Sequence, residues 1–244
     1  MKEFFTGLKD TFILNFVEDN RWRYVTGGIK TTLLITLCSV IIGILLGMIV
    51  ATVRSTYDKN REAYEKRGGF GVFILKIING ICKLYLTVIR GTPIVVQLLI
   101  MYYIVFASAT NAVPVAIAAF GINSGAYVAE IFRGGIMAID NGQFEAGRSL
   151  GFNYFQTMIY IIIPQVFKNV LPTLCNEFIA LLKETSVCGY IALQDITKGI
   201  YIIIGRTYSY YMPLLVLAAI YLIMVIILTW LVGKLERRLR NSER

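Results

Sequence analysis

Three stretches of this chain, 31–53, 91–129 and 207–233, contain no Asp, Glu, Lys or Arg. A helix crossing about 30 Å of hydrocarbon needs about 20 mostly apolar residues, and each stretch is long enough. Lipid offers no partner to backbone N–H and C=O groups, so only helices or closed barrels cross it. No alternating barrel pattern occurs, which leaves helices. With 57% hydrophobic residues among 244, the chain is not a soluble domain. Its net charge of +9 does not indicate nucleic acid, because the basic residues sit in short segments beside the apolar runs, where they set membrane orientation.

Several chemistries are excluded early. The chain has no His, and its four cysteines (Cys38, Cys82, Cys175, Cys188) show no paired spacing, so no metal site is expected and the thiols read as small apolar residues. The first 28 residues carry charges of both signs and no apolar core, so no secretory signal is apparent. Gly27-Gly28-Ile29-Lys30-Thr31 looks superficially phosphate-binding but lacks the Gly-Lys-Ser/Thr of a P-loop. No catalytic residue is assigned.

The apolar runs divide into five expected spans, about 29–53, 91–109, 112–133, 163–183 and 212–233, between an N-terminal segment 1–28 and a basic tail 234–244. Arg54, Lys59, Arg61, Lys66 and Arg67 follow the first span, and Lys234, Arg237, Arg238, Arg240 and Arg244 follow the last. Both segments therefore belong to the cytoplasm, with the N-terminus outside. The N-terminal basic residues Lys2, Lys9, Arg21 and Arg23 are offset by Glu3, Asp10, Glu18 and Asp19. Segment 70–107 would make a helix of about 57 Å, far more than one crossing needs. Lys76, Asn79, Lys83, Thr87 and Arg90 fall on one face, so 70–89 is expected as an amphipathic lead-in, with a bend at Pro93. Ser39, Gly43, Gly47 and Ala51 form a small-residue ridge suited to close helix packing. Tyr201, Tyr208, Tyr210 and Tyr211 suit the outer interface.

The connection 139–160 carries Glu145-Ala146-Gly147 and then Gly151, and Ile161 and Ile163-Pro164 follow it. This resembles the EAA loop of ABC importer permeases, with Gly147 for the second Ala and Ile163 for Leu. Arg90-Gly91-Thr92-Pro93 with Gln97 resembles the R-G-T-P-x-x-x-Q signature of polar amino acid permeases. Asn123-Ser124-Gly125-Ala126-Tyr127, Ala129-Glu130-Ile131 and Arg133-Gly134-Gly135-Ile136 are similar to that family's third span. Leu181-Leu182-Lys183-Glu184-Thr185-Ser186 resembles its L-L-K-D-T-S stretch, with Glu184 for Asp. The four stretches lie in register over about 25–240.

The resemblance implies an all-α type I importer permease of five spans in the bacterial inner membrane. It also implies a second permease subunit (a copy or a relative), two cytoplasmic ATPases holding ATP and Mg, and an extracytoplasmic amino acid-binding protein. In that family the EAA loop is a coupling helix that docks on the ATPase. Glu145, Ala146, Gly147, Arg148, Gly151 and Phe152 would carry the docking, with small residues permitting close approach and Phe152 and Phe155 as anchors.

Glu177 lies within the fourth span, where a carboxylate needs a partner or a watery cavity. It either meets the ammonium or cationic side chain of an amino acid substrate, or is a structural ion-pair member or protonated acid. Gln97, Asn123, Ser124 and Tyr127 either line the path or bond helix to helix. Glu130 and Arg133, three apart, are expected to pair with each other or a neighbouring helix, and Lys183-Glu184 to pair structurally. The remaining classes are a stand-alone secondary transporter, against which the five spans show no inverted repeat, and a membrane anchor, which has no need of polar groups inside spans.

Overall fold

The computed structural model describes residues 2–61, 64 and 69–241, with side chains from 6 to 238. Lys66, Arg67 and Arg244, used above for orientation, lie outside the described residues, as do the side chains of Lys2, Glu3 and Arg240. The described elements are helical: α1 Lys2–Phe12, α2 Trp22–Lys59, α3 Phe70–Gly91, α4 Ile94–Ile100, α5 Ala112–Ala138, α6 Asn141–Ser149, α7 Tyr154–Thr157, α8 Ile163–Glu184, α9 Ile196–Thr207 and α10 Tyr211–Asn241. Short π turns at Ile13–Val17, Met101–Val105 and Met158–Ile162 join or extend them. Five described helices are long and apolar enough to cross a membrane: α2, α3, α5, Tyr154–Ile191 and Tyr211–Arg238.

The second of these differs from expectation. In place of one helix over 91–109, the apolar stretch Ile94–Val105 is short, and the long helix is α3. Thr92 is extended between α3 and α4 (φ −123°, ψ 145°). Pro93 lacks an amide hydrogen and disfavours a helical predecessor, which accounts for the break. Helix α2 begins at Trp22 rather than 29 and runs to Lys59, and α10 runs through the basic tail to Asn241. Charged residues mark where water begins, not where a helix stops, so helices overrun the charge-free stretches at both ends.

The chain forms two compact units. One comprises residues up to Ser39, Ile94–Phe120 and Phe178–Leu231; the other comprises Val40–Pro93, Gly121–Glu177 and the tail from Val232.

In the first unit Phe16, Val25, Ile200, Ile203 and Ile204 form a core flanked by Met212, Val216 and Ile220. Helices α2 and α9 cross backbone to backbone. A Cβ on Gly28 would lie 2.5 Å from the Asp195 carbonyl oxygen, and one on Gly199 would lie 2.5 Å from that of Tyr24. The crossing is pinned by polar bonds: Ile196 N–H donates to Thr32 Oγ1 (3.4 Å), and Gln194 Nε2 donates to the Tyr24 carbonyl (3.3 Å). Asp195, fully buried, caps α9 by accepting from the backbone N–H groups of Thr197 (3.1 Å) and Lys198 (2.9 Å). Tyr201, Tyr208, Tyr210 and Tyr211 are all exposed.

In the second unit the small-residue ridge of α2 lies against α5. A Cβ on Gly43 would meet Ser124 Oγ at 2.9 Å, and one on Gly47 would meet Val128 Cγ1 at 2.5 Å. Ala51 is buried among Val128, Phe132 and Ile136. The ridge thus serves packing within the chain. Cys82 joins Leu86, Val50, Ala126 and Ala129 in a further cluster between α2, α3 and α5. All four cysteines are free thiols, with Cys82 and Cys188 buried.

Candidate functional site

Helix α6 occupies the middle of the 139–160 connection. Asp140 caps it by accepting from Gly142 N–H (2.6 Å). Its far end closes with two reverse bonds, Phe152 N–H to the Gly147 carbonyl (3.1 Å) and Gly151 N–H to the Arg148 carbonyl (3.0 Å). That pairing is a Schellman closure, which needs a left-handed residue just past the cap; Gly151 supplies it with φ +83°. Asn153 and Gln156 then form a reciprocal capping box that starts α7.

Within the chain, the two glycines of this segment do different work. A Cβ on Gly151 would meet nothing within 4 Å, so the chain itself does not press on this position; its requirement is conformational. Close approach is required at Gly147, which is buried, where a Cβ would lie 2.6 Å from Thr157 Cγ2 and 2.8 Å from its Oγ1. The departure from E-A-A to E-A-G is thereby explained: this packing of α6 on α7 leaves no room for the second alanine's methyl. Glu145, Ala146 and Arg148 face outward, and Leu150, Phe155 and Tyr160 add exposed apolar surface. Phe152 is half-buried, its ring centroid 6.1 Å from that of Tyr160.

Sequence reading missed what holds α6 from behind. Lys59, at the end of α2, places its Nζ 3.7 Å from the Phe144 ring centroid and donates to Asn141 Oδ1 (3.4 Å). Tyr154 stacks on Phe144 at 6.3 Å and donates to Thr56 Oγ1 (3.3 Å). Gln165 Nε2 of α8 donates to Gln143 Oε1 (3.2 Å). A cavity of about 500 Å³ opens between these elements, lined by Lys59, Phe144, Glu145, Arg148 and Tyr154. No motif signals these contacts, because their partners are 82 or more residues apart in the Lys59 and Tyr154 cases.

The polar residues of the spans are brought together in part. Ser124, fully buried on α5, donates through Oγ to Glu177 Oε1 of α8 (3.1 Å), and Glu177 is half-buried. Asn123 is buried beside Ser124, and Tyr127, 38% exposed, lies under the Arg90 guanidinium at 5.7 Å. Gln97 is half-buried on α4, in the other unit. Tyr85 donates to the Ile122 carbonyl (2.6 Å), another bond that sequence did not suggest.

Among the signature residues, Arg90 pairs with Glu130 (3.6 Å), Glu130 with Arg133 (3.2 Å), Arg133 with Asp58 (3.8 Å) and Asp58 with Arg54 (3.9 Å). Glu130 and Arg133 were expected to pair with each other or with a neighbouring helix, and they do both; the particular partners Arg90 and Asp58 were not named, although Arg54 and Asp58 at i,i+4 carry a signal. Gly91, Thr92 and Pro93 are exposed at the α3–α4 break, and Pro164 is exposed at the start of α8, just past the π turn Met158–Ile162. Lys183 is exposed, while Thr185 is buried and donates to the Leu182 carbonyl (2.7 Å). Among the described residues no group of His, Cys, Asp or Glu could hold a metal ion.

Comparison with known proteins decides the family. Residues 69–241 match the family described as binding-protein-dependent transport system inner membrane component. The chain belongs to this family. It is 35% identical to the Bacillus subtilis protein named arginine transport system permease protein ArtQ over 223 residues, covering 90% of this chain and 94% of that one. It is 34% identical to a putative glutamine transport system permease protein GlnP of Rickettsia bellii (88% and 93% covered). It is also 31% identical to the L-cystine transport system permease protein TcyB of Bacillus subtilis (92% and 90% covered). The solved structure of an amino acid ABC transporter with histidines superposes with a TM-score of 0.74 at 39% identity, covering 88% of this chain and 94% of that one. The MetNI methionine transporter, at 16% identity and TM-score 0.73 (91% and 99% covered), shares the fold. The chain is a multi-pass permease of the amino acid ABC importer type, with the type I importer fold.

Proposed function

We propose that this permease forms the translocation pathway for a polar or charged amino acid and is driven by ATP hydrolysed on a separate cytoplasmic subunit. The observation that carries the proposal is the construction of α6. Its inner side is fixed by Gly147, Phe144 and Lys59, while Ala146, Leu150 and Phe155 are exposed and Glu145 and Arg148, also exposed, edge the cavity beside Lys59. A rigid short helix with an apolar and charged outer surface fits a groove on a partner. That partner is an ABC ATPase present in two copies and holding ATP and Mg. A second permease subunit, a copy or a relative, and an extracytoplasmic amino acid-binding protein complete the assembly, in a bacterial cytoplasmic membrane with the N-terminus out and the C-terminus in. This chain itself performs no catalysis.

A polar substrate is supported by Glu177, whose half-buried carboxylate is held by Ser124 and suits an ammonium or cationic side chain. The relatives named for arginine, glutamine and cystine transport agree with that choice. The test is uptake into proteoliposomes of the complete complex, with a panel of labelled amino acids and the variant Glu177→Gln. A substrate-contacting carboxylate predicts normal assembly with uptake lost most deeply for cationic amino acids. Equal proportional loss for all substrates together with a lower Tm would make Glu177 structural instead.

A further inference from the structure

We propose that the cleft between α2, α3 and α5 binds the phosphate of an anionic phospholipid. The cleft measures about 470 Å³ and is lined by Arg54, Lys83, Thr87, Arg90 and Glu130. Around it the charges do not balance. The chain of pairs Arg54–Asp58–Arg133–Glu130–Arg90 uses three guanidinium groups and two carboxylates, and Lys83 adds a fourth cation at the rim. Among the described residues of this group two positive charges are therefore left over. Arg54, with 13% of its side chain exposed, gives Nη1 to Asn79 Oδ1 (3.3 Å). The lining itself sets Arg54, Lys83 and Arg90 against the single carboxylate of Glu130, so an oxyanion is the chemistry that complements this cleft.

The surroundings favour a lipid as its source. On the same helix Ile81, Leu84 and Val88 are 62%, 64% and 49% exposed, and their spacing makes one apolar stripe next to Lys83 and Thr87. A phosphodiester in the cleft would lay its acyl chains along that stripe, whereas a free phosphate would leave it uncovered. Basic pockets between membrane helices are a recurrent form of anionic headgroup recognition.

Native mass spectrometry of the delipidated complex, titrated with dioleoylphosphatidylglycerol, tests the assignment. Parallel titrations use dioleoylphosphatidylcholine and inorganic phosphate. Lys83 is exposed at the rim, so Lys83→Glu is expected to weaken phosphatidylglycerol binding about ten-fold with Tm unchanged. Lys83→Gln is expected to produce a smaller loss in the same direction. Lys76→Glu, exposed on α3 but not lining the cleft, is expected to leave binding as in the wild type. Equal binding by wild type and both Lys83 variants, or phosphatidylcholine binding as tightly as phosphatidylglycerol, would overturn the site. Saturation by inorganic phosphate that prevents all lipid binding at the Lys83-dependent position would overturn the lipid assignment.

Discussion

The α2–α9 crossing and the α6 segment both depend on glycine, to different ends. At the crossing, Gly28 and Gly199 bring one helix's backbone onto another's, and Thr32 and Gln194 hold that contact by hydrogen bonds. At α6, Gly147 sits the helix down on Thr157 and Gly151 turns the chain away afterwards, while the outer side chains remain unspent. Glycine thus marks a permanent joint in the first region and the mounting of an exposed surface in the second.

The largest effect is expected at the joint. In Gly28→Val the new atoms meet Asp195 and Ile196 backbone at 2.5–2.7 Å, and backbone cannot swing aside as a side chain can. A loss of about 3 kcal/mol or more is expected, read as failure to recover monodisperse protein in detergent. Recovery of a variant with wild-type Tm would break the distinction between the two regions.

A smaller and repairable effect is expected at Gly147. Gly147→Ala forces a methyl against Thr157 and should cost about 1–3 kcal/mol. Thr157→Ala removes both obstructing atoms, at the expense of the Thr157 Oγ1 bond to the Asn153 carbonyl (3.0 Å). The double variant should therefore lose less stability than the two single losses added, a coupling measurable by a double-mutant cycle. Strict additivity would show that the Gly147–Thr157 contact does not limit the position.

The smallest effect concerns pH. Burial raises the carboxyl of Asp195 above its ordinary value, and the backbone bonds from Lys198 and Thr197 oppose this without cancelling it. A carboxyl raised in the folded state stabilises most fully below its unfolded value, and that contribution is lost as pH rises through the folded value. Asp195→Asn keeps an acceptor for the α9 cap and removes the titration. Its Tm should equal or exceed wild type near neutral pH and fall below it in acid, with a flatter pH profile. An unchanged profile would contradict the assignment of the slope to Asp195.

The helices were legible because apolar runs report directly on lipid. Their ends were not, because Arg54, Asp58 and Lys59 continue α2 while making contacts that only the folded chain brings close. The break at Thr92-Pro93 was legible from the proline; that the long apolar helix precedes it, over Phe70–Gly91, was not, because 91–129 is free of charge while Lys76, Lys83 and Arg90 interrupt α3. The α6 segment was legible as a pattern of small residues, but Gly147 and Gly151 were given one role in common, since spacing cannot distinguish a crowded glycine from a left-handed one. Asp195 and the Lys59–Phe144 contact left no sequence signal, because both depend on partners brought together by folding.

The central claim is that the outer side of α6 acts on a partner and not on the permease itself. Ala146 is exposed there, and arginine is nearly as good a helix former, so Ala146→Arg should leave the permease folded. The decisive measurement is substrate-stimulated ATP hydrolysis by the reconstituted complex, alongside the Tm of the isolated permease. Unchanged Tm with stimulation lost is the predicted result; full stimulation in the Ala146→Arg complex would contradict it.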